Sequence, residues 1–329
     1  MTFNVCIIGC GARGKGHAKT WAARDDARVV AVFDTDAQRA AELAAEHDAT
    51  AHDSYRDAIA QEGVNVVSVC VPTHLHAEVT CFAAEQGRHV FCEKPLALTV
   101  EDGERMLEAV GSNGVVFSPC FQHRDRYLHV KQRELVRDGT CRGPVYFRFT
   151  DVREVRPKTA MHRASMNGGV VIDMGCHMFD MMRYITGAEP VSVSATGHVF
   201  GRGKQRLAGI DDLAIDEADI QVRMTGGHHM SMYLNWGMPE GFRAPINHQM
   251  LVAPNLAVHL AGGEVIVQYA DHREAWPDAA SGTHTRVARL VAAIRGEDEL
   301  DVTGADALVA LKMSHAALES IRTGETVTL

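Results

Sequence analysis

The chain has 329 residues, 46% of them hydrophobic and 23% charged, enough for about two domains that bury their own cores without staples. A net charge of −9 argues against nucleic acid or an anionic membrane as the main partner. No apolar run reaches the roughly 18 residues that a membrane span needs, and no basic-then-apolar leader opens the chain. The eight cysteines are scattered, several inside apolar runs, and form no CxxC pair. That pattern fits reduced thiols in the cytoplasm.

Short β-branched runs alternate with helical stripes from the start. Val5–Ile8 reads as a strand, followed by a stripe at Ala18, Trp21 and Ala22; Val29–Phe33 is a second strand, followed by Ala40, Leu43 and Ala44. A valine-rich strand over Val64–Val71, a helix over Leu75–Glu85, a strand at His89–Cys92, a helix over Val100–Val110 and a strand at Val115–Ser118 continue the pattern. Alternation of this kind predicts an α/β domain with a doubly wound parallel sheet, a Rossmann fold, over residues 1–121.

At the first strand-to-helix turn stands Gly9-Cys10-Gly11-Ala12-Arg13-Gly14, a GxGxxG. The first glycine permits the tight turn, the second lets backbone approach a pyrophosphate, and the third lets helix pack on strand. Asp34 follows Gly14 by twenty residues at the end of the second strand, where a carboxylate can accept both ribose hydroxyls of NAD. A 2′-phosphate would meet like charge there, although Arg13 and Arg39 leave NADP open.

After two later strands come Val71-Pro72-Thr73-His74-Leu75-His76 and Cys92-Glu93-Lys94-Pro95-Leu96. Both fall at strand carboxyl ends, the edge at which doubly wound folds bind ligands. The Glu-Lys-Pro trio, then Phe121-Gln122-His123-Arg124, then Gly168-Gly169 with Asp173-Met174-Gly175-Cys176-His177 and Asp180, resemble in order the Gfo/Idh/MocA oxidoreductase family. Val302-Thr303-Gly304 and Ala316–Ser320 resemble that family's closing helix, expected over Gly304–Arg322 and packing back at the domain junction. The resemblance implies a second, α+β domain over residues 122–329 with a large, open, mostly antiparallel sheet. Runs at Val145–Val155, Val191–Val199, Ala218–Met224, His229–Trp236, Gln249–Ala253 and Glu264–Tyr269 agree with it. It also implies association into a homodimer or homotetramer through the open sheet face.

For chemistry, the resemblance implies oxidation of a ring hydroxyl of a sugar, sugar derivative or cyclitol by hydride transfer to NAD. Lys94, Asp173 and His177 supply the catalytic groups: a cation for the developing alkoxide, a carboxylate for a neighbouring hydroxyl and an imidazole suited to general-base work. The spacing i, i+4 puts Asp173 and His177 on one face of an expected helix over Val170–Ile185. Which of Lys94 and His177 takes the proton stays open. Glu93 and Pro72 are expected to position the nicotinamide, with His74, His76 and Gln122 also at the cofactor, and Gln122 and Arg124 at the substrate. Cys176 is expected to point away from the Asp173/His177 face and to pack. No constellation among the 18 histidines has metal-ligand spacing, so no metal is expected.

Residues 123–163 carry eleven Lys or Arg against five acids. A solvated basic face is one reading. The sharper one has Arg153, Arg156, Lys158, His162 and Arg163 rimming the substrate pocket and favouring a polyol with a carboxylate or phosphate. Two rival functions are a non-catalytic dinucleotide sensor and an NAD-dependent glycosidase that works by transient oxidation.

Overall fold

The computed structural model describes residues 2–244, 247–278 and 283–329. The chain divides into two compact units, Met1–Gln122 with Gly282–Leu308, and His123–Ser281 with Val309–Leu329.

In the first unit β1 (Phe3–Ile8) leads to α1 (Ala12–Ala22), β2 (Ala27–Phe33), α2 (Ala37–His47), β3 (Thr50–Ala51) and α3 (Tyr55–Ala60). Then come β4 (Val66–Val69), α4 (His76–Glu85), β5 (His89–Cys92), α5 (Val100–Ser112) and β6 (Phe117–Pro119). The strands pair in parallel in the order β3-β2-β1-β4-β5-β6. All four residues of β4 are buried, as a strand covered on both faces requires. Asp36, Ser54 and Thr99 side chains cap α2, α3 and α5, whereas α1 starts after Gly11 with no side-chain cap. Strand order runs outward in both directions from the β1–β4 pair, which makes the carboxyl ends of those two strands the crevice of the fold.

The remaining elements are α6 (Tyr127–Arg137), β7 (Tyr146–Glu154), α7 (Gly169–Asp173), α8 (Gly175–Thr186), β8 (Pro190–His198), β9 (Glu217–Met224) and β10 (His229–Met238). They continue with β11 (His248–Ala253), β12 (Leu256–Ala261), β13 (Glu264–Gln268), β14 (Arg273–Pro277), α9 (Thr283–Arg295), α10 (Gly304–Thr323) and β15 (Val327–Thr328). The second unit is built on a nine-stranded sheet, β14-β13-β12-β11-β7-β10-β9-β8-β15. It is antiparallel except where β7 and β10 run parallel. In β9, Ala218, Ile220, Val222 and Met224 are buried while Asp219, Gln221 and Arg223 are exposed, so one face is core and the other is polar. Against the apolar face lies α8, nearly all of whose side chains are buried.

Three features differ from the sequence expectation. The helix expected over Val170–Ile185 is two helices, α7 and α8, meeting at Met174, because Met174 N–H closes the last turn of α7 on Val170 while His177 N–H starts anew on Met174. Strands β12, β14 and β15 join the sheet beyond the six expected runs, β14 and β15 as its two edges. After the second unit the chain also returns to the first: Val287, Leu290 and Val291 of α9 share a core with Phe3, Trp21 and Phe91. Of α10, only the start to Leu308 belongs to that unit. Among the described residues no helix is long and apolar enough to cross a membrane.

Candidate active site

The glycine turn has the geometry of a dinucleotide cradle. Gly9 has φ +94, and a Cβ there would meet the Cys70 carbonyl at 2.7 Å. A Cβ on Gly14 would lie 1.8 Å from the Gly9 oxygen, so that helix and turn close only on glycine. At Gly11 a Cβ would have nothing within 4 Å. Open space over an uncapped helix start, followed by Ala12 and Arg13, is what a pyrophosphate needs. The Asp34 carboxylate already takes the Cys10 N–H at 2.7 Å and the Asp36 N–H at 2.9 Å, which ties the turn to the end of β2. A carboxylate has about four acceptor positions, so capacity for ribose hydroxyls remains. Arg39 is exposed and pairs with Asp36 at 3.1 Å, and Arg13 is exposed with its Nε 3.8 Å from Glu93.

Glu93 at the end of β5 is buried and interacts with His17 Nε2 at 3.1 Å; His17 Nδ1 lies 3.4 Å from Ser68 Oγ, which also accepts from Trp21 Nε1. Burial pushes the Glu93 carboxyl up, but His17, Arg13 and Lys94 together outweigh it and hold it down at about 2. Lys94 follows, half-buried, with Pro95 joined to it by a cis peptide bond. Pro72 begins the one-turn 3₁₀ helix Thr73–Leu75, and His74 on it is exposed. His76 is buried, with Nδ1 2.8 Å from the Pro95 carbonyl and Nε2 3.1 Å from the Val71 carbonyl. It joins the two loops. Burial, the largest cause, pushes its pKa down. Gln122 is half-buried and takes a weak 3.9 Å contact from Cys120 Sγ.

His17, Glu93 and Cys120 bring three potential ligand atoms within 4.8 Å of one another. Burial and Glu93 push the Cys120 thiol well above its ordinary range, and His17 is engaged with Glu93. Within the trio the hydrogen bond runs between His17 and Glu93, while the Cys120 Sγ turns to Gln122 Oε1.

In the second unit Asp173 ends α7 and His177 lies in the first turn of α8, both buried. The Asp173 Oδ2 accepts from Asn167 Nδ2 at 3.1 Å. The His177 ring stacks on that of His123, centroids 4.1 Å apart and planes within 10°. His123 is in turn stacked at 6.1 Å with His129, whose Nδ1 lies 2.6 Å from the His123 carbonyl and whose Nε2 meets Gln249. This imidazole column, absent from the sequence reading, fixes the plane of His177. Its signal was His123 and His129 six residues apart, which spacing alone does not join to position 177. Cys176 is buried, and its Sγ donates to the Asp173 backbone carbonyl at 3.3 Å.

The guanidinium of Arg124 is engaged within the fold. It is buried in a two-point ion pair with Asp180, Nε to Oδ2 at 2.8 Å and Nη2 to Oδ1, and its guanidinium lies over Tyr184. Arg163 pairs with Asp212 at 3.1 Å, and Arg153 with Asp151 at 2.7 Å. His162 is buried, and its Nε2 accepts the Arg156 N–H at 2.9 Å; burial, then Arg156 and Arg206, push its pKa down to about 4. So of the five residues expected to rim a pocket, three are tied into the fold. Lys158 is exposed and Arg156 is half-buried over Trp236.

An open glycine turn beside the Asp34 carboxylate, in a unit followed by one whose helices α7 and α8 carry buried Asp173 and His177, fits a dinucleotide-binding oxidoreductase. Residues 3–121 match the model for the oxidoreductase family, NAD-binding Rossmann fold, and residues 129–260 match the GFO/IDH/MocA C-terminal domain. The chain belongs to the Gfo/Idh/MocA oxidoreductase family. It is 26% identical over 306 residues to 1,5-anhydro-D-fructose reductase of Ensifer adhaerens, covering 92% of this chain and 91% of that one. It is 34% identical over 212 residues to myo-inositol 2-dehydrogenase of Thermotoga maritima, covering 64% of this chain and 62% of the relative. The aldose-aldose oxidoreductase from Caulobacter crescentus, solved with glycerol, has the same fold over the full length of both chains, with a TM-score of 0.86 at 22% identity.

Proposed function

We propose that the protein is an NAD(P)-dependent dehydrogenase, with NAD the favoured cofactor, that oxidises a ring hydroxyl of a sugar, sugar derivative or cyclitol. The observation that carries the reading is the open, uncapped turn at Gly11 beside Asp34, in a family chain that also holds the Lys94, Asp173 and His177 set. Gly9, Gly11, Ala12, Arg13, Gly14 and Asp34 would hold the dinucleotide, and a bound nicotinamide supplies the hydride acceptor. Arg39 contributes little toward a 2′-phosphate while it pairs with Asp36.

His177 takes the hydroxyl proton, its plane held by stacking on His123, and Lys94 offers its ammonium to the oxygen as negative charge develops. Asp173, steadied by Asn167, accepts a hydrogen bond from a neighbouring hydroxyl and so sets which carbon reacts. Glu93, ionised by its cationic surroundings, fixes the loop that presents Lys94. The work takes place in the cytoplasm, where scattered buried thiols stay reduced. Copies associate as a homodimer or homotetramer through the polar face of the nine-stranded sheet, where Tyr146 stacks on His229. A light-scattering mass near 35.9 kDa would overturn that assembly.

The test is a panel of sugars, sugar acids and inositols scored for NADH and NADPH formation. Net reduced cofactor from at least one polyol is expected. None from any of them, with aryl-glycoside cleavage or cofactor binding only, would overturn the reading in favour of a glycosidase or a sensor.

A further inference from the structure

Among the described residues, the basic segment before Gly168 contains one guanidinium whose buried Nε has no acceptor. Arg153 is spent on Asp151, which also accepts Trp236 Nε1 at 2.9 Å, and Arg163 is spent on Asp212. Nearby Arg206 donates to the Val155 carbonyl and pairs with Glu240. The guanidinium of Arg156, by contrast, has no hydrogen-bond or ion-pair acceptor among the described residues, and its Nε is buried. Its carbon lies 5.8 Å from the Trp236 ring centroid, and its backbone N–H is pinned by His162. Burial, then the charge of Arg153, disfavour the ionised form, and Asp151, Asp173 and Glu154 act in the opposite sense.

A buried polar atom in a folded protein is normally hydrogen-bonded, and the Nε of this half-buried side chain is not. Leaving it so is offset only in part by an aromatic face and by carboxylates at a distance. One of those carboxylates is Asp173, the group assigned to a substrate hydroxyl. We propose that Arg156 is the anchor for a carboxylate on the substrate, so that the polyol oxidised is a sugar acid of the uronate class. This rests on the dehydrogenase reading above. A planar guanidinium fork matches a carboxylate two-on-two. A dianionic phosphate would set double charge against Asp151 and Asp173, so the monoanion is the better fit. Holding a carboxylate at Arg156 and a hydroxyl at Asp173 fixes two points of the chain, which selects the carbon that reacts.

The experiment compares kcat/KM with NAD for matched pairs that differ in a terminal CH2OH against a carboxylate: glucose with glucuronate, galactose with galacturonate. The wild type is expected to favour the acid of at least one pair by about 10²-fold, the scale of one charge-assisted hydrogen-bonded pair. R156Q is expected to lower that acid-to-neutral ratio by about 10- to 100-fold, mainly through KM. R156K, which keeps charge but not the fork, is expected to fall between. Equal kcat/KM for acid and neutral partners, an unchanged ratio in R156Q, or stronger selection of sugar phosphates than of acids would each overturn the proposal. Calorimetric titration of the NADH-loaded protein with glucuronate separates the two readings. Binding that R156Q weakens, without NADH from any polyol, keeps the anion site and removes the dehydrogenase. NADH from neutral polyols with no binding preference for acids does the reverse.

Discussion

Replacing Glu93 by glutamine should remove a defined component of the acid sensitivity of the first unit. The carboxyl is held at about 2 in the folded protein against 4.5 ordinarily, and it is buried, so solvent screening takes little away. A difference of that size is worth about 3 kcal/mol at neutral pH. Because the folded value is the lower one, this stability is fully present above pH 4.5 and disappears as pH falls through 2. By pH 3.5 about 1 kcal/mol has gone, from the ratio of proton binding in the unfolded and folded states. Trp21 is a local reporter, since it is buried in the same unit and its indole N–H donates to the Ser68 hydroxyl beside His17. In a W236F/W276F background, urea unfolding followed by Trp21 fluorescence at pH 6.5 and 3.5 gives the loss for wild type and for E93Q. Wild type should lose about 1 kcal/mol more than E93Q. Equal losses would show that Glu93 is not held ionised by His17, Arg13 and Lys94.

Four further outcomes are expected. Lys94→Ala should cut kcat by about 10² or more while NAD affinity, by fluorescence quenching, stays within about threefold, as a group acting on the developing alkoxide requires; preserved turnover would reject its role. Asp34→Ser should narrow or reverse the preference for NAD over NADP in kcat/KM, and an unchanged ratio would place the ribose elsewhere. His177→Gln should cut kcat by about 10² to 10⁴ and flatten the acidic limb of the pH–rate profile; a limb that survives assigns the proton to another group. Asp180→Asn should destabilise the second unit by about 3–5 kcal/mol in urea, since it leaves the buried Arg124 guanidinium without its counter-charge. A loss below about 1 kcal/mol would mean the pair is not what holds the two elements together.

The first unit was legible because its signals are local. A glycine turn, an acidic residue at the next strand end and valine runs covered on both faces each follow from a few neighbouring residues. The positions of Asp173 and His177 were legible too, but their common helix was not. Periodicity carried through Met174, where the hydrogen bonding restarts. Arg124 illustrates the opposite limit: a basic residue beside a predicted crossover looks available until Asp180, 56 positions away, proves to be its partner. His76 likewise sits by sequence among ligand-facing residues, and its two ring nitrogens are taken by carbonyls of flanking loops. The basic segment could be counted from sequence, but only three-dimensional pairing separates Arg156 from Arg153 and Arg163. The return of 282–308 to the first unit had no sequence signal, because amphipathic α9 would suit any apolar surface.

That return sets an order of events during synthesis. Val287, Leu290 and Val291 help to bury Trp21 and Phe3, and Arg286, itself buried, pairs with Asp301 within the same returning segment. The nucleotide-binding half therefore stays incomplete on the ribosome until some 160 intervening residues have been translated. A fragment released at Gln122 would carry every glycine of the turn yet leave an apolar patch uncovered. Chaperone dependence, or aggregation of prematurely terminated chains, would originate there.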